Sequence, residues 1–93
     1  MGRKKTPNAV VDQFASNVRR VRSYTGLTQE VVAKRTQLHR TEISLLERGY
    51  REPRLGTLVR LAGALEVPVE ELVADIEWHD RPRGFYVNSE RVS

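Results

Sequence analysis

Apolar residues recur at helical spacing along most of the chain, and alternating β-branched and aromatic residues are absent until its last dozen positions. Val10, Phe14, Val18 and Val21 step by four, four and three, which predicts one helix from about Asn8 to Tyr24. Asn8 suits the N-cap, Asp12 suits the positive end of the helix dipole, and Gly26 suits a left-handed stop with Leu27 folded back. Thr28 caps a second, short helix from Gln29 to about Thr36, with Val32 and Ala33 inward and Lys34 and Arg35 in solvent. After a tight turn a third helix runs from about Arg40 to Arg48. His39 is its N-cap, Glu42 is half of a capping box, and Gly49 is its stop.

Pro53 ends the loop that follows, and Leu58, Leu61, Ala62 and Leu65 mark a fourth helix at i, i+3, i+4 and i+7. Pro68 opens a fifth that ends near Ala74, with Glu70 and Glu71 in its first turn. Short connections between five short helices predict an all-α fold, one compact domain over residues 8–75. A basic arm, residues 1–7, precedes it, and a tail, residues 76–93, follows, in which Gly84 before Phe85-Tyr86-Val87 suggests a short β-strand.

Ninety-three residues are one domain's worth of chain. The absence of cysteine excludes a disulfide framework, a zinc finger and thiol chemistry, and fits a cytoplasmic setting. No apolar stretch is long enough for a signal peptide or a membrane span, since Arg60 and Glu66 interrupt the most apolar window. The net charge of +4 hides a split: residues 1–60 hold 13 basic and 5 acidic side chains, and residues 61–93 hold 3 and 7. The two parts therefore carry different tasks. Two histidines distant in sequence and no phosphate-cradling glycine loop offer neither a nucleophile with its base nor a metal or cofactor site, which argues against an enzyme.

The third helix carries the most specific chemistry. At about 100° per residue, Ile43, Leu46 and Glu47 share its core side, where a carboxylate needs a partner. Thr41, Ser44, Leu45 and Arg48 lie opposite, with Arg40 projecting from the first turn. A charged helix face is ordinarily just solvated, yet this mixture also suits base edges: arginine to guanine, hydroxyls to bases or phosphate, leucine to a thymine methyl. Two short helices joined by a tight turn are the arrangement that sets a second helix in a major groove, and Arg48, Arg51 and Arg54 would flank it at phosphate level.

The runs Leu27-Thr28-Gln29-Glu30-Val31-Val32-Ala33-Lys34-Arg35-Thr36 and Ile43-Ser44-Leu45-Leu46-Glu47-Arg48-Gly49, with Pro53, Leu55, Thr57-Leu58, Leu61-Ala62 and Ala64-Leu65 in register, closely resemble the lambda-repressor and Cro-like helix-turn-helix family. This family is also called the xenobiotic-response-element (XRE) family, and the resemblance covers about Phe14 to Val73. It implies a lambda-repressor-like domain whose third helix reads DNA, with Arg40, Thr41 and Leu45 at base-facing positions. Gln29 stands where the family has a glutamine that holds a phosphate and braces the recognition helix. Arg48, Arg51 and Arg54 fall in the loop laid along the DNA backbone, and Arg22 stands where an arginine pairs with the glutamate represented by Glu47. Two positions depart: Gln37 replaces the usual turn glycine, and His39, as a cap or a phosphate contact, replaces a common Ser or Thr.

The resemblance implies a transcriptional regulator, most simply a repressor, binding a palindromic operator in double-stranded DNA as a homodimer. Trp78, Phe85, Tyr86 and Val87 put half of the chain's aromatics in the tail, as a strand pairing with its symmetry mate or as an aromatic latch onto the first and fifth helices. Two other settings share the same residues. One is the antitoxin of a toxin-antitoxin pair, its acidic C-terminal part meeting a protein partner; the other is a restriction-modification controller.

Overall fold

The computed structural model describes Lys5 and residues 7–93. Five helices follow in order: α1 (Ala9–Thr25), α2 (Gln29–Thr36), α3 (Arg40–Glu47), α4 (Leu55–Leu65) and α5 (Val69–Leu72). The expected caps form. Asn8 accepts from the Val11 N–H and Thr28 from the Val31 N–H, while Gly26 takes the left-handed conformation at φ 76°. One face of each helix meets in a single core. Phe14, Val18 and Val21 of α1 pack with Val32, Ile43, Leu46, Leu61, Leu65 and Leu72, each contributing about 1.5–3 kcal/mol on removal from water.

The expectation of an all-α chain is corrected by a three-stranded antiparallel sheet, β1 (Ile76–Asp80), β2 (Arg83–Val87) and β3 (Glu90–Arg91), in the order β1-β2-β3. Two local features build it. Asp75, at φ 68°, turns the chain out of α5, and Asn88 and Ser89, at φ 52° and 68°, form a two-residue turn of the kind that suits the twist of a hairpin. The expected strand at Phe85-Tyr86-Val87 is present as the central one, with both of its edges hydrogen-bonded within the chain. The sheet packs on α1. Ile76 joins the core, Asn88 bonds Gln13, and Phe85 and Val92 enclose a cleft of about 400 Å³ with Pro7, Val10 and Glu52.

Two boundaries and one cap differ from expectation. α5 stops at Leu72 because the buried Asn17 amide takes the carbonyls of Leu72 and Ala74, at 3.1 and 2.9 Å. α3 ends at Glu47, and the buried Gly49 at φ 75° lies where a Cβ would come within 2.5 Å of Asp12 Oδ1. Glu42 does not close a capping box; its carboxylate takes Arg51 instead. The basic arm, residues 1–7, lies outside the described residues apart from Lys5 and Pro7, and Lys5 pairs with Asp12 at 2.7 Å. Among the described residues, no helix is long and apolar enough to cross a membrane.

Candidate nucleic-acid interface

The tight turn between α2 and α3 sets the geometry of the face. Gln37 adopts φ 60°, ψ 29°, and the N–H of Leu38 reaches back to the Ala33 carbonyl at 3.1 Å. The turn is therefore the ordinary left-handed one, made with a residue that pays for its Cβ. Thr36 supports it from inside the core, donating to the Val32 carbonyl at 2.8 Å and accepting from the Leu38 N–H at 3.3 Å.

A second constraint fixes α3 from its C-terminal end. Glu47 is 2% exposed, and Arg22 of α1 grips it twice, Nε to Oε2 at 2.6 Å and Nη2 to Oε1 at 2.9 Å. Arg22 also donates to the Leu27 carbonyl, and Arg19 donates to the Glu47 carbonyl. The hydrogen bond with Glu47 raises the Arg22 pKa further above its ordinary value, against the opposing effect of burial. The ion pair expected from the resemblance is thus present and bidentate. Gln29 joins it, its amide donating to Glu47 Oε1 at 3.1 Å, so the first residue of α2 braces the last turn of α3.

The outward side of α3 presents the remaining expected residues. Thr41 is exposed, and its N–H donates to His39 Nδ1 at 3.0 Å, so His39 acts as the helix cap. Ser44 and Leu45 are half-buried at the edge of the face. Arg48 lies over the Tyr50 ring, 4.9 Å from its centre. Arg51 is tied to Glu42, whereas Arg54, at the N-cap of α4, is exposed and makes no ion pair among the described residues. Arg40 extends from the first residue of α3 with its Nε on Glu30 Oε1 at 2.6 Å. Glu30 is the residue that sequence reasoning missed; its only signal was its place beside Gln29 in the first turn of α2.

Trp78, Phe85, Tyr86 and Val87 lie apart from this face, on the sheet. Trp78 and Phe85 are cross-strand neighbours stacked edge to face at 5.1 Å, and Trp78 is 57% exposed. By alternation they share a face with Ile76 and Val87, whereas Tyr86 stacks on His79 on the other side.

Two short helices packed through a tight turn, the second showing arginine and hydroxyl groups outward, form the geometry of a helix-turn-helix. The helix-turn-helix family matches residues 25–72, from the end of α1 through α5 and short of the sheet. The control protein C.SmaI of Serratia marcescens is 44% identical over 60 residues, which cover 64% of this chain and 71% of that protein. The uncharacterized HTH-type transcriptional regulator y4dJ of Sinorhizobium fredii is 48% identical over 58 residues, 62% of this chain and 75% of that one. Among solved structures, the restriction-modification controller protein C.AhdI from Aeromonas hydrophila superposes with a TM-score of 0.68 at 34% identity, covering 70% of this chain and 98% of that one. The chain belongs to the helix-turn-helix family of Cro/C1 type, a family of DNA-binding transcriptional regulators.

Proposed function

We propose that the protein is a sequence-specific regulator of transcription, a repressor that binds a palindromic operator as a homodimer. One observation carries this reading: α3 is clamped at its C-terminal end by Arg22, Gln29 and Glu47 while Arg40, Thr41, Ser44, Leu45 and Arg48 stay on its outward side. A rigidly held helix with a polar outer face can enter a major groove without the ordering cost of a mobile segment. Arg40 and Thr41 lead into the groove, Leu45 follows one turn later, and Arg48, Arg51 and Arg54 lie along the phosphates. Gln29 serves as brace, and its position at the start of α2 also suits a phosphate. Two subunits would set their α3 helices in successive major grooves, about 34 Å apart. The exposed Trp78 and Phe85 supply the dimer contact, with Val87 beside them on the same face and Tyr86 on the opposite one.

Similarity to C.SmaI and C.AhdI favours a restriction-modification controller over an antitoxin. A methyltransferase or endonuclease reading frame beside the gene supports that setting; a toxin frame with a basic surface for the acidic C-terminal part supports the other.

Selection of duplexes from a random pool, followed by affinity measurement, tests the central reading. Arg40→Ala should weaken the selected operator by about 1–3 kcal/mol and relax the preference at one base pair, whereas Arg54→Ala should weaken all duplexes alike. A pool that yields no common sequence refutes the proposal.

A further inference from the structure

Arg40 is the residue best placed to read a base, yet its Nε is already engaged, 2.6 Å from Glu30 Oε1. The two side chains come from successive helices, Arg40 from the first residue of α3 and Glu30 from the second of α2. They are 60% and 66% exposed, so the pair lies on the outer surface rather than in the core. An exposed ion pair of this kind adds little to folding stability, typically about 0–1 kcal/mol. The pair with Arg40 therefore adds little to the fold beyond the favourable place of Glu30 in the first turn of α2.

The chemistry of guanidinium offers an account. Arginine has five N–H donors in a planar fork, and a carboxylate beside Nε leaves the outer Nη1 and Nη2 donors free for another acceptor. Those two are what guanine O6 and N7 accept as a bidentate pair. A carboxylate there also fixes the plane of the fork, which otherwise rotates about the side-chain torsions. The backbone that carries Glu30 is held against α3, because the neighbouring Gln29 is tied to Glu47. The same negative charge repels every phosphate, whatever the sequence. Glu30 thus has two separable effects: it orients Arg40 toward one base and lowers affinity for DNA in general.

We propose that Glu30 is a specificity-determining positioning residue, which holds the Arg40 guanidinium for bidentate recognition of a guanine and lowers the affinity for every duplex alike. This rests on the DNA-binding reading above. Both residues are exposed and leave the core untouched, so variants should fold, as circular dichroism would verify.

The full-length chain is titrated with three duplexes: the operator selected from a random pool by the wild type, that operator with the guanine facing Arg40 replaced, and an unrelated sequence. Glu30→Ala should bind the unrelated duplex several-fold more tightly, while the preference for operator over substituted operator falls by about tenfold, within the range of one bidentate contact. Glu30→Gln removes the same charge but keeps an oxygen beside Nε. It should match Glu30→Ala on the unrelated duplex and recover part of the lost preference. In an Arg40→Ala background, Glu30→Ala should tighten all three duplexes by one factor. If the preference survives Glu30→Ala with Arg40 present, or if Glu30→Gln recovers none of it, Glu30 acts only as a charge and the proposal is overturned. A wild type without preference among the duplexes overturns the DNA-binding reading itself.

Discussion

The Arg22–Glu47 pair makes a quantitative claim about stability. Glu47 is 2% exposed and accepts three side-chain hydrogen bonds, two from Arg22 and one from Gln29. Arg22→Met leaves that carboxylate buried with one neutral donor, a change that costs about 3–5 kcal/mol. Glu47→Leu costs less, about 1–3 kcal/mol, because Arg22 keeps the Leu27 carbonyl and has a side chain 23% exposed to water. The double variant replaces both charges by apolar groups of similar volume and should lie within about 1–2 kcal/mol of the wild type, well short of the summed single losses. A domain of this size has roughly 5–14 kcal/mol in total, so each single loss is a large fraction of it and the midpoint falls by about 4–8 °C per kcal/mol. Urea unfolding with an unchanged slope supplies the three free energies, and their non-additivity is the coupling. The raised Arg22 pKa means that this stabilisation is complete below the ordinary arginine value and is lost only as pH climbs beyond it. Additive losses across the cycle would refute the reasoning.

Two further predictions concern the turn and the sheet. Gln37→Gly should stabilise the fold by up to about 1 kcal/mol, since glycine takes φ 60° without the Cβ penalty, offset in part by the greater freedom of its unfolded chain; thermal unfolding that shows a loss would refute the strain. Trp78→Lys and Phe85→Lys, both exposed side chains of the sheet, should convert a dimer to a monomer in sedimentation velocity at unchanged helicity. A dimer that persists in both variants removes the sheet face as the main contact.

The helical body was legible because its signals are local and mutually consistent. Asn8, Thr28 and Gly26 act within one turn of their own positions, and the apolar steps of Val10, Phe14, Val18 and Val21 repeat the helical period. The Arg22–Glu47 pair was legible through the family register, with the helical wheel independently placing Glu47 on the buried side. The sheet was less legible. In Ile76-Glu77-Trp78-His79-Asp80 only two positions are apolar, and one of them, Trp78, stays exposed, so burial imposes little alternation. Its turn uses Asn88-Ser89 rather than an Asn-Gly pair, a weaker hairpin signal. Asn17 could not be read as the stop of α5 because its partners stand 55 and 57 residues away. Glu42 illustrates the converse, since spacing allowed a capping box and the longer-range Arg51 prevailed.

The uneven charge along the chain shows the same distinction between local pattern and tertiary use. Counting residues 1–60 credits every base to one face, but several are internal fastenings. Arg19 and Arg22 hold Glu47, Arg35 donates to the Ala64 carbonyl, and Arg60 donates to the Thr36 carbonyl. Arg40 is committed to Glu30 and Arg51 to Glu42. On α3 and the loop that follows it, the charge available to phosphates is therefore carried mainly by Arg48 and Arg54, joined by Arg51 if DNA draws it from Glu42, while Lys34 of α2 is also exposed and makes no ion pair among the described residues. For a dimer, two such residues per subunit give a slope of log affinity against log salt near −4, and three give roughly −5, at about −0.9 per neutralised phosphate. Had all the bases of the N-terminal part faced DNA, the slope would be several-fold steeper. Glu42→Gln should raise the affinity of every duplex and steepen the slope toward the larger value, because it releases Arg51. An unchanged slope would mean that Arg51 never reaches a phosphate and that its pairing with Glu42 is purely a tie between α3 and its following loop.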